Sequence, residues 1–188
     1  KFADPDLVAA DLIAQAEHDV NAQSILIATN KNLIRLVNLS LKKQLIKLPK
    51  KKIASKSLKN FGLAILTNSK KKVLETINII APEHLELCTN FNREIIKGVK
   101  NAGSIFIGKY SPEAIGDYIA GPNHVLPTSG SARFSSGLSV NDFLKRQSLI
   151  KITKTGIERL GPSVINLAKY ENLEGHAYSV KVRLKEEI

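Results

Sequence analysis

Four histidines are all the imidazole in this 188-residue chain, and each stands near a side chain able to work with it. Gln15 and His18 are three apart, which puts them on one face of a helix. Glu83 and His84 are adjacent, directly behind Pro82. Asp117 and His124 are seven apart, with Gly121-Pro122 between them. Glu171 and His176 lie near the C-terminus. Imidazole beside a carboxylate or amide serves proton transfer near neutral pH, and it also serves metal ligation. The spacing alone does not choose, because neither HExxH nor a paired CxxC is present. A satisfied structural histidine, a solvated helical acid at Asp117 and a turn residue at His124 remain open readings. Cys88, the one cysteine, excludes an intramolecular disulfide and suits a reducing cytoplasm. As a nucleophile it would need a base and an electropositive setting. No GxGxxG follows a strand, and SGSARFSSG, residues 129–137, lacks the spacing of a phosphate loop.

These residues need elements to hold them. Asp4-Pro5-Asp6 opens a helix with a cap and a first-turn proline, and Leu7, Val8, Leu12 and Ile13 are expected on its buried side. SILIAT, residues 24–29, reads as a short buried strand. Leu33, Leu36, Val37, Leu41, Leu45 and Leu48 recur at helical spacing until Pro49. Residues 50–59 read as a lysine-rich linker, residues 63–67 as a second strand, and Ser69 as the cap of a helix running to Ile80. The second half of PEHLEL, residues 82–87, alternates like a strand. A helix over 91–100 and a strand over 104–107 follow.

Ser111-Pro112-Glu113 then starts a short helix that Gly121-Pro122 ends, leaving Asp117 and His124 at a stiff helix-to-loop corner. Beyond Ser139 helix-forming sequence dominates, with capping-box spacing at Ser139 and Asp142, a brief strand over 149–153 and two helices over roughly 156–186. Strands alternating with helices predict an α/β layer with a largely parallel sheet, followed by a helical arm.

Hydrophobic residues make up 43% of the chain, enough for a packed core and too many for a disordered segment. No apolar run is long enough to span a membrane, and no signal segment opens the sequence. The net charge of +11 invites a nucleic-acid reading. Residues 31–60 carry nine lysines, one arginine and no acid, yet they hold no aromatic residue on which bases could stack. A solvated basic face is the simpler reading. Methionine is absent, including at position 1, so the chain is expected to be a piece of a longer one.

The run GDYIAGPNHVLPTSGSARFSSGLSV, residues 116–140, continuing into Asp142-Phe143-Leu144-Lys145-Arg146, resembles the signature of histidinol dehydrogenase, the zinc enzyme that completes histidine biosynthesis. The resemblance extends over essentially the whole chain, but only over the C-terminal part of the family's. It implies zinc ligands at Gln15 and His18 in DLIAQAEH, at Asp117, and at His176 in the tail. It implies Glu83 and His84, in APEHLEL, as the proton-transfer pair. It implies substrate contacts from the ligands Gln15, His18, Asp117 and His176, and also from His84, His124 and Glu171. The tail ENLEGH matches least well, since Asn172-Leu173 replaces the family's Gly-Leu and Glu174 is a rival acid.

The implied reaction is the four-electron oxidation of L-histidinol, through L-histidinaldehyde, to L-histidine with two NAD. One zinc per site, a cytoplasmic location and a homodimer are implied with it, the C-terminal arm reaching into the partner's site. The family's NAD-binding residues lie upstream of the segment matched here, so these residues alone are expected to be inactive. The expected organisation is an incomplete Rossmann-like parallel sheet layer over 1–138 and a swapped helical arm over 139–188. Rival readings are a zinc-binding, dimerising remnant without catalysis and a basic nucleic-acid-binding domain; the leading reading expects neither nucleic acid nor membrane as partner.

Overall fold

Asp4 begins the first helix as its residue type directs, its carboxylate accepting the Asp6 N–H at 2.8 Å with Pro5 in the first turn. The structure, a computed structural model, describes residues 3–184. Helix α1 (Pro5–Ala16) buries Ala9, Ile13 and Ala16. Leu7, expected on that side, is 43% exposed. Small residues at Ala9 and Ala16 let a neighbouring backbone approach, and the helix has turned toward them. Its partner is α2 (Lys31–Lys47), which buries Val37 and Ser40 and is capped by Asn30.

Residues 50–59, expected as a linker, belong instead to helix α3 (Lys51–Phe61). Its lysines face water while Ala54 and Ser57 are buried, so a lysine-rich helix still has one small, packable stripe. The buried Ser57 hydroxyl is satisfied by donating to the Ala22 carbonyl at 2.8 Å.

Strands β1 (Ile25–Ala28) and β2 (Leu63–Leu66) pair in parallel, with Ile25 opposite Leu63. Ser69 caps α4 (Lys70–Ile80), accepting the Lys72 N–H at 3.2 Å. That helix ends at Ala81, a left-handed residue at φ 53°, before Pro82. A second parallel pair joins β3 (His84–Leu87) to β4 (Ser104–Ile107), with α5 (Asn92–Gly98) as the crossover. Strand β3 decides the layout. Leu85 and Leu87 point into a core with Val73, Ile77 and Ile95, while His84 and Glu86 lie on the opposite face.

Helix α6 (Glu113–Tyr118) begins later than expected. Ser111 does not cap it; that hydroxyl donates to the Ile107 carbonyl at 3.0 Å, and Pro112 occupies the cap position with no side-chain acceptor. The helix stops at Tyr118, ahead of Gly121-Pro122, where Gly121 has φ 108°. Two short 3-10 turns follow, Ser131–Arg133 and Val140–Phe143. In the second, the Ser139 N–H donates to Asp142 Oδ2 at 2.6 Å, as the capping-box spacing expects.

The chain divides into two compact units, Lys1–Phe143 and Leu144–Ile188. The second contains α7 (Lys154–Tyr170) packed on α8 (Glu174–Leu184). Residues 149–153, expected as a brief strand, take no regular structure. A strand needs a hydrogen-bonded neighbour, and the ladders among the described residues are those of β1–β2 and β3–β4. Among the described residues no helix is long and apolar enough to cross a membrane.

Candidate functional site

Three elements of the first unit deliver the polar groups. Helix α1 carries Asp11 and Gln15 on one face, with His18 next along that face in the turn beyond the helix. Strand β3 presents His84 and Glu86 because residues two apart share a side. Helix α6 presents Glu113 and Asp117, four apart and therefore one above the other.

The polar atoms meet at His84. Its ring is 9% exposed, with Nδ1 at 3.3 Å from Glu113 Oε1 and Nε2 at 3.6 Å from Asp117 Oδ1. Asp117 also faces His124, whose Nδ1 lies 3.4 Å from Oδ1, and His18 Nε2 lies 3.9 Å from Glu113 Oε1. The Gln15 amide, with its nitrogen turned to Glu113, donates to Oε1 at 3.1 Å and Oε2 at 3.2 Å. Glu83 enters through the backbone as well, its carbonyl accepting the Ser104 N–H at 2.8 Å to start the β3–β4 ladder. Phe106 closes one side, its ring centroid 6.0 Å from that of His84.

Electrostatics follow from crowding acids out of water. Burial, then the charges of Asp117, Glu83 and Asp11, push the Glu113 carboxyl up to about 7. Burial also lowers the His84 imidazolium, against the pull of Glu83 and Asp117. The lowered imidazolium favours the neutral ring, the form able to accept a proton. Its Nε2 has no hydrogen-bond partner among the described residues. A buried polar atom without a partner is uncommon enough to mark a place for a ligand.

His18, Glu113 and Asp117 each aim one donor atom into a common space, all within 4.8 Å of one another. A nitrogen and two carboxylate oxygens suit a borderline divalent ion such as zinc. Surplus buried negative charge beside them gives such an ion an electrostatic reason to bind. Of the residues singled out in the sequence, Gln15, His18, Glu83, His84, Asp117 and His124 come together here. Glu171 stands at the C-cap of α7 and His176 in the first turn of α8, both in the second unit. Glu113, from the sequence only a first-turn acid that favours the positive end of the helix dipole, is a site neighbour the sequence does not single out. Its signal was present: an acid four residues before Asp117 on a helix must share that residue's face.

The protein-family model for histidinol dehydrogenase matches residues 1–184. The histidinol dehydrogenase of Pelagibacter ubique is 54% identical over 185 residues, covering 98% of this chain and 43% of the relative. That of Clostridium acetobutylicum is 50% identical, covering 96% and 42%. The crystal structure of histidinol dehydrogenase from Elizabethkingia anophelis superimposes with a TM-score of 0.94 at 40% identity, over 98% of this chain and 42% of that one. The chain thus spans less than half the length of the curated relatives it matches. With an oxidoreductase family matched along its described length and a fold shared at that identity, the chain belongs to the histidinol dehydrogenase family.

Proposed function

We propose that this chain supplies the metal-binding and proton-transfer part of a histidinol dehydrogenase, which oxidises L-histidinol through L-histidinaldehyde to L-histidine with two NAD. The observation that carries the reading is the buried His84, wedged between Glu113 and Asp117 with an unpartnered Nε2 beside a three-donor cluster. NAD, when bound, would supply the hydride acceptor for both oxidations, and in the first His84 would take the alcohol's hydroxyl proton. Glu83 then accepts a proton from the water that adds to the aldehyde carbon. In the second oxidation His84 would take the remaining hydroxyl proton of the resulting hydrate anion, after releasing the first.

The residues fit zinc, which Gln15, His18 and Asp117 would hold with His176 of a second copy; once bound, it orients the substrate's nitrogens and stabilises developing charge. Glu171 and His124 contact the substrate in this reading. Residues 1–138 would then be an incomplete Rossmann-like layer, and 139–188 an arm exchanged within a homodimer. NAD binds on residues outside this chain.

Zinc content of the purified chain, measured beside its His176→Ala variant, tests the reading. Near-stoichiometric zinc that drops in the variant is expected. A folded chain without zinc overturns the ligand assignment. NADH formation from histidinol, once the N-terminal part of a relative is supplied, separates an enzyme from a metal-binding remnant.

A further inference from the structure

Glu113 is neither a ligand nor a base in the reaction above, yet its carboxylate stands among the residues that are. Its side chain is 7% exposed, with Oε1 at 3.3 Å from His84 Nδ1 and 3.9 Å from His18 Nε2. Both of its oxygens accept from the Gln15 amide nitrogen, at 3.1 and 3.2 Å. The residue is itself anchored. Its backbone N–H donates to Glu86 Oε1 at 3.0 Å, because Pro112 at the cap position of α6 offers no side-chain acceptor.

Gln15 poses a problem of orientation that the other proposed ligands do not. The two ends of a glutamine amide are nearly equal in size, but only the oxygen has a lone pair to give a cation; the NH2 is a donor alone. A half-buried amide with nothing to sort its ends would present the wrong one part of the time. A carboxylate sorts them, since it accepts an N–H and repels an oxygen. With its nitrogen on Glu113, the Gln15 amide keeps its oxygen as the free end.

We infer that Glu113 is the positioning residue of Gln15, binding the amide nitrogen so that the oxygen is the end offered to the metal. The inference rests on the metal-centre reading above. Its rival is direct ligation by Glu113, which also has an oxygen in the three-donor cluster with His18 and Asp117. The two roles make different demands on the side chain. Positioning needs reach and an acceptor, whereas ligation needs the charge.

Two substitutions separate these demands. Glu113→Gln keeps the reach and an acceptor but drops the charge, while Glu113→Asp keeps the charge and draws the acceptor back by one methylene. In competition with a chromogenic chelator, Glu113→Asp is expected to weaken zinc by about 10–100-fold, and Glu113→Gln to bind it at least about threefold more tightly than Glu113→Asp. With Gln15→Ala in the background that gap is expected to close, because no amide remains to be oriented. A smaller gap between the single variants, or a gap that survives Gln15→Ala, overturns the inference. If either variant does not fold, the parent decides. The Gln15 NH2, identified by proton NMR through its absence from Gln15→Ala, is expected to exchange hydrogen at least about tenfold more slowly than that of the exposed Gln147, and equal rates overturn the inference. A parent chain that shows slow exchange yet binds no zinc fails on the metal-centre reading instead.

Discussion

His84 shows how a setting changes what one residue type can offer. Burial holds its imidazolium down while two acids stand on its two nitrogens. Replacing His84 with Asn keeps the size and a polar edge but removes the base. With the N-terminal part of a relative supplied, His84→Asn is expected to lose about 10²–10⁴-fold in kcat, within the usual range for a general base. Zinc content should remain at the parent level, which a simple folding defect would not allow. Asp117→Asn should do the reverse, lowering zinc content first, because Asp117 both faces His84 and belongs to the three-donor cluster. Parallel zinc and rate measurements on the two variants check the division of roles.

At the scale of elements, α6 depends on a glycine for contact rather than for backbone freedom. A Cβ built on Gly116 would lie 2.5 Å from Phe106 Cε1, so any side chain there must push the helix off the β4 face or move the ring. Phe106 also packs against His84. Gly116→Ala would favour the isolated helix by up to about 1 kcal/mol on propensity alone. We expect the opposite outcome in the protein: a lower melting temperature and weaker zinc, read by thermal denaturation and chelator competition. A gain in stability would show that α6 is free to shift. Ser69→Ala offers a control on a helix that carries none of the metal donors, with a loss of about 1 kcal/mol from the missing cap of α4 and unchanged zinc.

The whole molecule stores the cost of its site as a pH dependence. Burial and neighbouring acids push Glu86 up to about 8 and Glu113 up to about 7, above their ordinary 4.5. The folded state therefore keeps protons that the unfolded state has released. Stability from these groups is full below the ordinary value and lost as pH rises through the folded ones. His84 works the other way, costing stability as pH falls below its ordinary 6.5. Comparing Glu86→Gln with the parent isolates the carboxyl contribution. Between about pH 5 and about pH 9 the parent's melting temperature is expected to fall further than the variant's, by about 5 °C. Equal slopes in calorimetry would contradict the burial-raised carboxyl.

Much of this was legible in the order of residues, and the reason is local physics. Caps at Asp4 and Ser69 act within one turn, and the alternation of His84-Leu85-Glu86-Leu87 assigns two faces whatever lies nearby. The four strand positions could be read because short apolar runs bounded by turns have few other uses. The candidate site residues were singled out through resemblance, since the spacing of Gln15, His18, Glu83, His84 and Asp117 matches no local metal motif. What tertiary structure alone decided was everything that depends on a partner distant in sequence. Residues 51–61 became a helix because Ala54 and Ser57 found a surface to bury against, and 149–153 formed no strand because no ladder took them in. Glu113 turned from a helix-start acid into a buried neighbour of two histidines, and Glu86 from a strand residue into the cap of another helix. Sequence determines what a residue can offer through its own atoms and near neighbours; which group receives that offer depends on chain closure over tens of residues, and only the folded structure contains it.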